Sequence, residues 1–231
     1  MTLQEVIAKI KPLDQNAMDV AQKRWDSIAK PLHSLGKLET LLIQIAGITG
    51  NPEVDLSKRG LIAMCADNGV VEEGVTQTGQ EVTAIVAENF LRYDTSVGVM
   101  CKQNHAEIFP VDMGMVTDTK VRIDHKIAYG TQNMTKGPAM TREQAVKGLE
   151  AGIDMVRELK EKGYKILATG EMGIGNTTTS SAVASVLLKQ PVETMTGRGA
   201  GLTSEGLVRK INAIKEAIKL NQPDPSDAID I

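Results

Sequence analysis

Residues 165–179 have the sequence KILATGEMGIGNTTT, in which a short apolar run leads into a glycine-rich turn. The run at residues 165–169 predicts a buried strand, and the stretch at residues 180–188 predicts a helix. This arrangement is typical of an anion site, because glycine lets the backbone approach a ligand and the first helical turn offers its N–H groups. Glu171 lies inside the turn. Since a carboxylate repels phosphate, we expect a ligand that has both an anionic end and a cationic or N–H-bearing end.

The candidate ligand contacts of this turn are consecutive residues: Gly173, Ile174, Gly175, Asn176, Thr177 and Thr178. A purely structural turn has the same pattern, with Asn176 or Thr177 acting only as a helix cap. Glu171 is either a ligand contact or a solvated loop acid. The residues alone leave both alternatives open.

Two further apolar runs, at residues 60–66 and 106–112, predict strands upstream. The first run is unbroken, as in strands that a parallel sheet buries on both faces. Helical segments are predicted between them at residues 81–91 and 95–103. Strands that alternate with helices predict an α/β fold with a Rossmann-like parallel sheet, flanking helices and right-handed crossovers.

The clearest helix signal follows Thr141, which forms a predicted capping box with Gln144. Apolar residues recur along this segment at steps of three and four, which predicts one buried face. The residues of that face are Val146, Leu149, Ile153, Val156 and Leu159.

Ligands of parallel sheets bind beyond the carboxyl ends of the strands. Asp67 follows the first strand and is therefore expected on the same rim as Glu171. Asp67 is either a ligand contact or an acceptor of backbone N–H groups in its own loop.

A second glycine-rich segment at residues 196–202 precedes a helix predicted at residues 205–219. Gly199 lies in this segment, which is either a ligand-facing loop or a flexible connection. Lys210 on the helix could meet a phosphate or carboxylate, or it could be solvated like most lysines on helices.

Helical patterns at residues 3–29 and 37–46 precede every predicted strand, and Asp14 is a candidate cap between two short helices of the first segment. We therefore expect a small helical domain at residues 1–50 and a large α/β domain at residues 51–231. The prolines and acids after residue 221 are typical of a connector, so the large domain is expected to be incomplete at its C-terminus.

The formal net charge of −3 argues against nucleic acid or an anionic membrane as a partner, since both need a basic face. The N-terminus lacks the pattern of a secretory signal, and no apolar run approaches the roughly 20 residues that span a bilayer. With only two cysteines, a reducing cytoplasm is the expected compartment. His33, His105 and His125 have no metal-ligand spacing, and we expect no metal and no cofactor.

Several segments together resemble one enzyme family, the nicotinate-nucleotide–dimethylbenzimidazole phosphoribosyltransferases of cobalamin lower-ligand synthesis. The matching segments run in family order over nearly the whole chain: Lys30-Pro31, residues 34–39, 65–70, 73–75, Val82-Thr83, residues 111–114, 137–140 and 170–178, Lys210, and residues 221–225. Their co-occurrence is much more specific than one glycine turn.

The resemblance implies a homodimer that transfers phosphoribose from nicotinate mononucleotide to 5,6-dimethylbenzimidazole, giving α-ribazole 5′-phosphate and nicotinate. Glu171 matches an acidic residue that assists near the azole and the ribose, and Lys210 matches a lysine near the substrate. Thr78 falls where the family carries a small hydroxyl residue in the azole pocket. In such a reaction the backbone of residues 173–178 would suit the 5′-phosphate or the nicotinate carboxylate.

The chain departs from the family pattern at His33, where glycine is usual, at Asn68, where histidine is usual, and at Gly79, where proline is usual. These changes are expected to affect which azole fits. The family's presumed general base lies in a later segment that does not occur in these residues, so the chain is expected to be inactive as given. The alternative is a non-catalytic protein that binds a nucleotide or azole.

Overall fold

The computed structural model describes residues 2–231, which divide into two compact units, one ending at Ser57 and the other spanning Lys58–Ile231. The helices of the first unit are α1 (Leu3–Ile7), α2 (Gln15–Ser27) and α3 (Lys37–Thr49). As predicted, Asp14 caps α2, since its side chain accepts the N–H of Ala17 at 3.0 Å. The domain assignment itself, with its boundary at residue 50, stays a prediction.

Helix α2 packs against α3 at Gly47, where the two helices come very close. A Cβ atom added at Gly47 would lie 2.7 Å from the Met18 side chain. In the same unit Lys30 and Glu39 form an ion pair at 2.9 Å, and the carboxylate of Glu39 also accepts the N–H of Leu35. The ion pair lowers the pKa of Glu39.

The second unit is an α/β structure, which confirms the predicted fold class. Its three strands are β1 (Arg59–Ala66), β2 (Ala106–Gly114) and β3 (Ile166–Met172), and they form a parallel sheet in the order β2-β1-β3. Its helices are α4 (Glu81–Arg92), α5 (Ser96–Gln103), α6 (Arg142–Glu161), α7 (Asn176–Leu187), α8 (Val192–Met195) and α9 (Ser204–Asn221). A 3₁₀ turn spans Gly69–Glu73. None of the helices within residues 2–231 combines the length and the apolar character needed to cross a membrane.

The central strand β1 carries a core on each of its faces, because successive side chains of a strand point in opposite directions. One face packs against α4 through Ala63, Cys65, Ala84, Phe90 and Met115. The other face packs against α6 through Ile62, Val111, Met155, Leu159 and Tyr164. A third apolar cluster, which includes Ala182 and Ile214, joins α7 to α9. The first two clusters thus cover both faces of the sheet, and the third packs α7 against α9.

The prediction that residues 165–169 form a buried strand is right about the strand and wrong about its burial. Ile166, Ala168 and Thr169 are exposed. The physical reason is position, since β3 pairs with β1 on one side and has no strand on its other side within residues 2–231. An apolar run alone does not distinguish a central strand from an edge strand.

The predicted apolar face of α6 is also partly wrong. Leu149 and Val156 are 47% and 48% exposed, whereas Ala151, Met155 and Leu159 are buried. At about 100° per residue, Leu149 and Val156 lie roughly 100–120° away from the line of buried residues. The apolar stripe is thus wider than the surface that the sheet covers. The capping box of Thr141 and Gln144 is present as predicted.

The two sides of α6 should respond differently to truncation. We expect Met155→Ala to lower the free energy of unfolding by about 2–5 kcal/mol, because it opens a cavity against β1 and β2. Leu149→Ala on the same helix should cost less than about 0.5 kcal/mol. Urea unfolding of both variants measures the difference, and equal losses would contradict the observed orientation of the helix.

Candidate ligand site at the carboxyl edge of the sheet

The turn between β3 and α7 lies directly against the end of β1. A Cβ atom added at Gly173 would lie 2.2 Å from the carbonyl oxygen of Ala66, so no larger residue fits there without moving the backbone. Gly175 has a φ of 92°, which glycine adopts readily and other residues rarely do. The two glycines therefore set the path by which the chain enters α7.

The N–H groups of this turn are divided between internal and free donors. Three already have acceptors in the protein: Ile174 to Thr83 Oγ1 at 3.0 Å, Asn176 to Gly173 O at 3.0 Å, and Thr178 to Gly175 O at 2.9 Å. The N–H groups of Gly173, Gly175 and Thr177 have no acceptor within residues 2–231. An anion at this end of α7 would thus meet alternate N–H groups, a smaller set than the sequence suggests.

Glu171 belongs to β3, which ends one residue later at Met172, and its carboxylate accepts a hydrogen bond from the Asn176 side chain. The side chain keeps contact with solvent, yet the protein around it removes enough water to raise the pKa of Glu171. The hydrogen bond from Asn176 opposes part of that shift. The structure thus brings Glu171 and Asn176 together. A carboxyl group with a raised pKa is suited to accept a proton.

Lys210 enters the site from α9 and is only 1% exposed. Its Nζ donates to Thr177 Oγ1 at 2.7 Å and to the carbonyl oxygen of Gly197 at 3.1 Å. Burial lowers the pKa of Lys210. A Cβ atom added at Gly199 would lie 3.5 Å from Nζ, so the second glycine segment covers the ammonium group closely. The structure therefore joins Lys210, Gly199 and Thr177 at the start of α7.

Asp67 is fully buried beneath this rim. Its Oδ2 accepts the N–H of Val116 at 2.8 Å, and the Thr83 hydroxyl also stabilises the carboxylate. Burial is nevertheless the largest effect and raises the pKa of Asp67. Asp67 thus accepts a backbone N–H group, although from a segment remote in sequence rather than from its own loop. Its role as a ligand contact stays a prediction.

The remaining candidates have different surroundings. Thr178 is fully buried, and its hydroxyl has no hydrogen-bond partner within residues 2–231. Thr78 is exposed, and its carbonyl oxygen accepts the hydroxyl of Thr76 at 2.8 Å. None of the hydrogen bonds among the described residues joins Thr78 to the glycine turn. Ile174 contributes backbone contacts, which include the bond to Thr83.

Two residues that the sequence did not single out as site residues also contact the turn. Thr83 on α4 accepts the Ile174 N–H, and Asn68 after β1 donates to the Ile174 carbonyl oxygen at 3.1 Å. Asn68 and Ile174 are 106 positions apart in the sequence, so no local pattern indicates the contact. The available signal was that Asn68 directly follows Asp67 on the predicted ligand rim.

Comparison with known proteins gives matches that extend over nearly the whole chain. The profile of a family described as phosphoribosyltransferase matches residues 10–231. The chain is 51% identical to the nicotinate-nucleotide–dimethylbenzimidazole phosphoribosyltransferase of Ruminiclostridium cellulolyticum, covering 100% of this chain and 66% of that relative. It is 46% identical to the protein of the same name from Clostridium tetani, covering 99% of this chain and 64% of the relative.

A solved structure, CobT from Thermus thermophilus, superposes with a TM-score of 0.81 at 36% identity. The superposition covers 88% of this chain and 62% of the CobT chain. The chain spans about 65% of the length of the curated relatives that it matches.

The partly desolvated carboxyl group of Glu171 should be visible in the pH dependence of stability. Because the pKa of Glu171 is raised on folding, its contribution to the free energy of unfolding is present below the unfolded pKa and is lost as the pH rises through the folded value. We therefore expect Glu171→Gln to become more stable relative to the wild type as the pH rises above about 4, the ordinary range of a glutamate side chain. Denaturant unfolding at several pH values measures this trend.

Glu193→Gln is a suitable control, because the contact with Lys215 lowers the pKa of Glu193. Its contribution is present above the unfolded pKa and is lost as the pH falls, so any trend has the opposite sign. A difference between Glu171→Gln and the wild type that does not vary with pH would contradict the desolvation of this carboxylate.

Proposed function

Because the chain belongs to the family of nicotinate-nucleotide–dimethylbenzimidazole phosphoribosyltransferases, we propose that it takes part in the transfer of phosphoribose from nicotinate mononucleotide to 5,6-dimethylbenzimidazole or a related azole. The products are α-ribazole 5′-phosphate and nicotinate. Similarity along the whole chain is the observation that carries this proposal. The contacts of the glycine turn support this proposal, since one short segment offers N–H donors for an anion together with a carboxylate.

In the proposed reaction an azole ring nitrogen attacks the anomeric carbon of the ribose. The bond from that carbon to the pyridinium nitrogen breaks, and its electron pair stays on the nicotinate ring nitrogen, which becomes neutral. Attack from the opposite face inverts the configuration to α. The azole must also lose its N–H proton, so a carboxylate that can accept a proton is useful.

We assign the anionic end of the nucleotide to the start of α7. The free N–H groups of Gly175 and Thr177 and the ammonium group of Lys210 are the donors that support this assignment. Lys210 already contacts two neutral oxygen atoms, and an ammonium group has three N–H donors. Its third donor is available to a phosphate or carboxylate that enters beneath Gly199.

We assign Glu171 an assisting role near the azole and the ribose. Its raised pKa favours temporary uptake of a proton, and the amide of Asn176 holds the carboxylate beside the turn. Thr78 stays a proposed residue of the azole pocket, on the resemblance alone. Asp67 stays a proposed substrate-binding residue, although its complete burial favours an indirect effect on the site.

The cellular setting is part of the proposal. We propose a homodimer that works in the cytoplasm, where the buried thiols of Cys65 and Cys101 would remain reduced. We also propose that residues 1–50 belong to a small helical domain and that residues 51–231 belong to a large α/β domain.

The reaction can be tested by mixing the protein with nicotinate mononucleotide and 5,6-dimethylbenzimidazole. We expect nucleotide binding by calorimetry and, where turnover occurs, nicotinate and α-ribazole 5′-phosphate in equal amounts by chromatography. Binding without nicotinate release would favour the non-catalytic alternative. Absence of nucleotide binding would contradict the proposed function.

Lys210→Met tests the anion site, because methionine keeps a similar length and removes the charge. Losing a hydrogen bond from a charged group costs about 1.5–3 kcal/mol, so we expect nucleotide affinity to fall by about 10- to 100-fold. The fold should survive, since an apolar side chain suits a buried position. Lys215→Met on the exposed side of the same helix is the matched control, with unchanged affinity expected.

A further inference from the structure

Asn68 connects the end of β1 to the glycine turn through its side chain. Its Nδ2 donates to the carbonyl oxygen of Ile174 at 3.1 Å, and its Oδ1 lies 3.3 Å from the hydroxyl of Thr179 in the first turn of α7. Asn68 also directly precedes the 3₁₀ turn, yet its side chain makes no capping bond there. The amide is thus committed to the glycine turn rather than to its own loop.

The bond from Asn68 to the Ile174 carbonyl oxygen fixes the orientation of the whole peptide between Ile174 and Gly175. The peptide between Ile174 and Gly175 is planar and trans, so its N–H points away from its C=O. By holding the Ile174 carbonyl oxygen, Asn68 therefore sets the direction of the Gly175 N–H. This N–H is one of the three turn donors that have no acceptor within residues 2–231.

A peptide next to glycine reverses easily, because glycine tolerates both signs of φ. Reversal of this peptide would point the Ile174 carbonyl oxygen toward an incoming anion and withdraw the Gly175 N–H. The preceding peptide is held separately, by the bond from the Ile174 N–H to Thr83. Asn68 is thus the side chain that selects the orientation of the second peptide.

We propose that Asn68 is a positioning residue for nucleotide binding, which holds the peptide between Ile174 and Gly175 so that the Gly175 N–H faces the anionic end of the nucleotide. The proposal rests on the proposed function. The backbone of Asn68 is itself anchored, since its carbonyl oxygen accepts the side chain of Gln80 at 3.2 Å and the N–H of Val71 at 3.1 Å. Asn68 acts through the turn and needs no contact with the nucleotide.

The test compares Asn68→Ala, Asn68→His and a matched control, each made in the full 231-residue chain. Asn68→Ala removes the donor, whereas an imidazole Nδ1–H reaches nearly the same point as the amide it replaces. The control is Asn221→Ala at the end of α9, which also removes an amide that donates to carbonyl oxygens, those of Met134 and Ala217 at 2.8 and 2.9 Å. Thermal unfolding verifies that each variant is folded.

Two measurements decide the outcome. In the free protein, amide hydrogen exchange over residues 173–179 should be faster in Asn68→Ala than in the wild type, and unchanged in Asn221→Ala. The dissociation constant for nicotinate mononucleotide should rise by about tenfold in Asn68→Ala, as expected for one misdirected hydrogen bond. It should stay within about threefold of the wild type in Asn68→His and in Asn221→Ala.

Unchanged exchange and unchanged affinity in Asn68→Ala, with a wild type that binds the nucleotide, would overturn this role and leave the proposed function intact. An equal loss of affinity in Asn221→Ala would also overturn it, because the effect would then reflect general stability. A wild type that fails to bind the nucleotide would refute the proposed function, and the role of Asn68 with it.

Discussion

The close contact between Gly173 and the carbonyl oxygen of Ala66 is the constraint on which the site depends. It brings the turn after β3 against the end of β1, with no space for a side chain between the two backbones. This contact fixes the direction of the chain, and with it the positions of Glu171, of the free N–H groups and of the start of α7. Because β1 and β3 pair in parallel, the polar residues at their carboxyl ends lie at one edge of the sheet. Gly173 allows the turn after β3 to pack directly against that edge.

The local features of the fold could be predicted because their causes lie within a few residues. Asp14 as a cap and Thr141 with Gln144 as a capping box depend only on hydrogen bonds within one helical turn. The burial of β3 and the buried face of α6 could not be predicted in the same way. Each depends on which other elements cover it, and the residues of one strand or helix do not contain that information.

The candidate site also combines features that local sequence predicts with features that depend on distant residues. The pattern of residues 165–179 was sufficient to expect an anion site with a nearby acid, since glycine and helix-start signals are local. It could not indicate which N–H groups are already bonded, because the acceptor of the Ile174 N–H is Thr83, 91 positions away. Likewise, a lysine on a helix is usually solvated, and only the packing of α9 beneath residues 197–199 reveals Lys210 as buried.

The burial of the Lys210 ammonium group has a consequence for the energetics of the whole molecule. The group is removed from water and, among the described residues, meets only the neutral oxygen atoms of Thr177 and Gly197. A buried charge without a counter-ion raises the free energy of the folded state. An anion bound beside Lys210 would neutralise this charge. Binding of the anion would therefore also raise the free energy of unfolding. Such an anion would complete the charge balance of the interior.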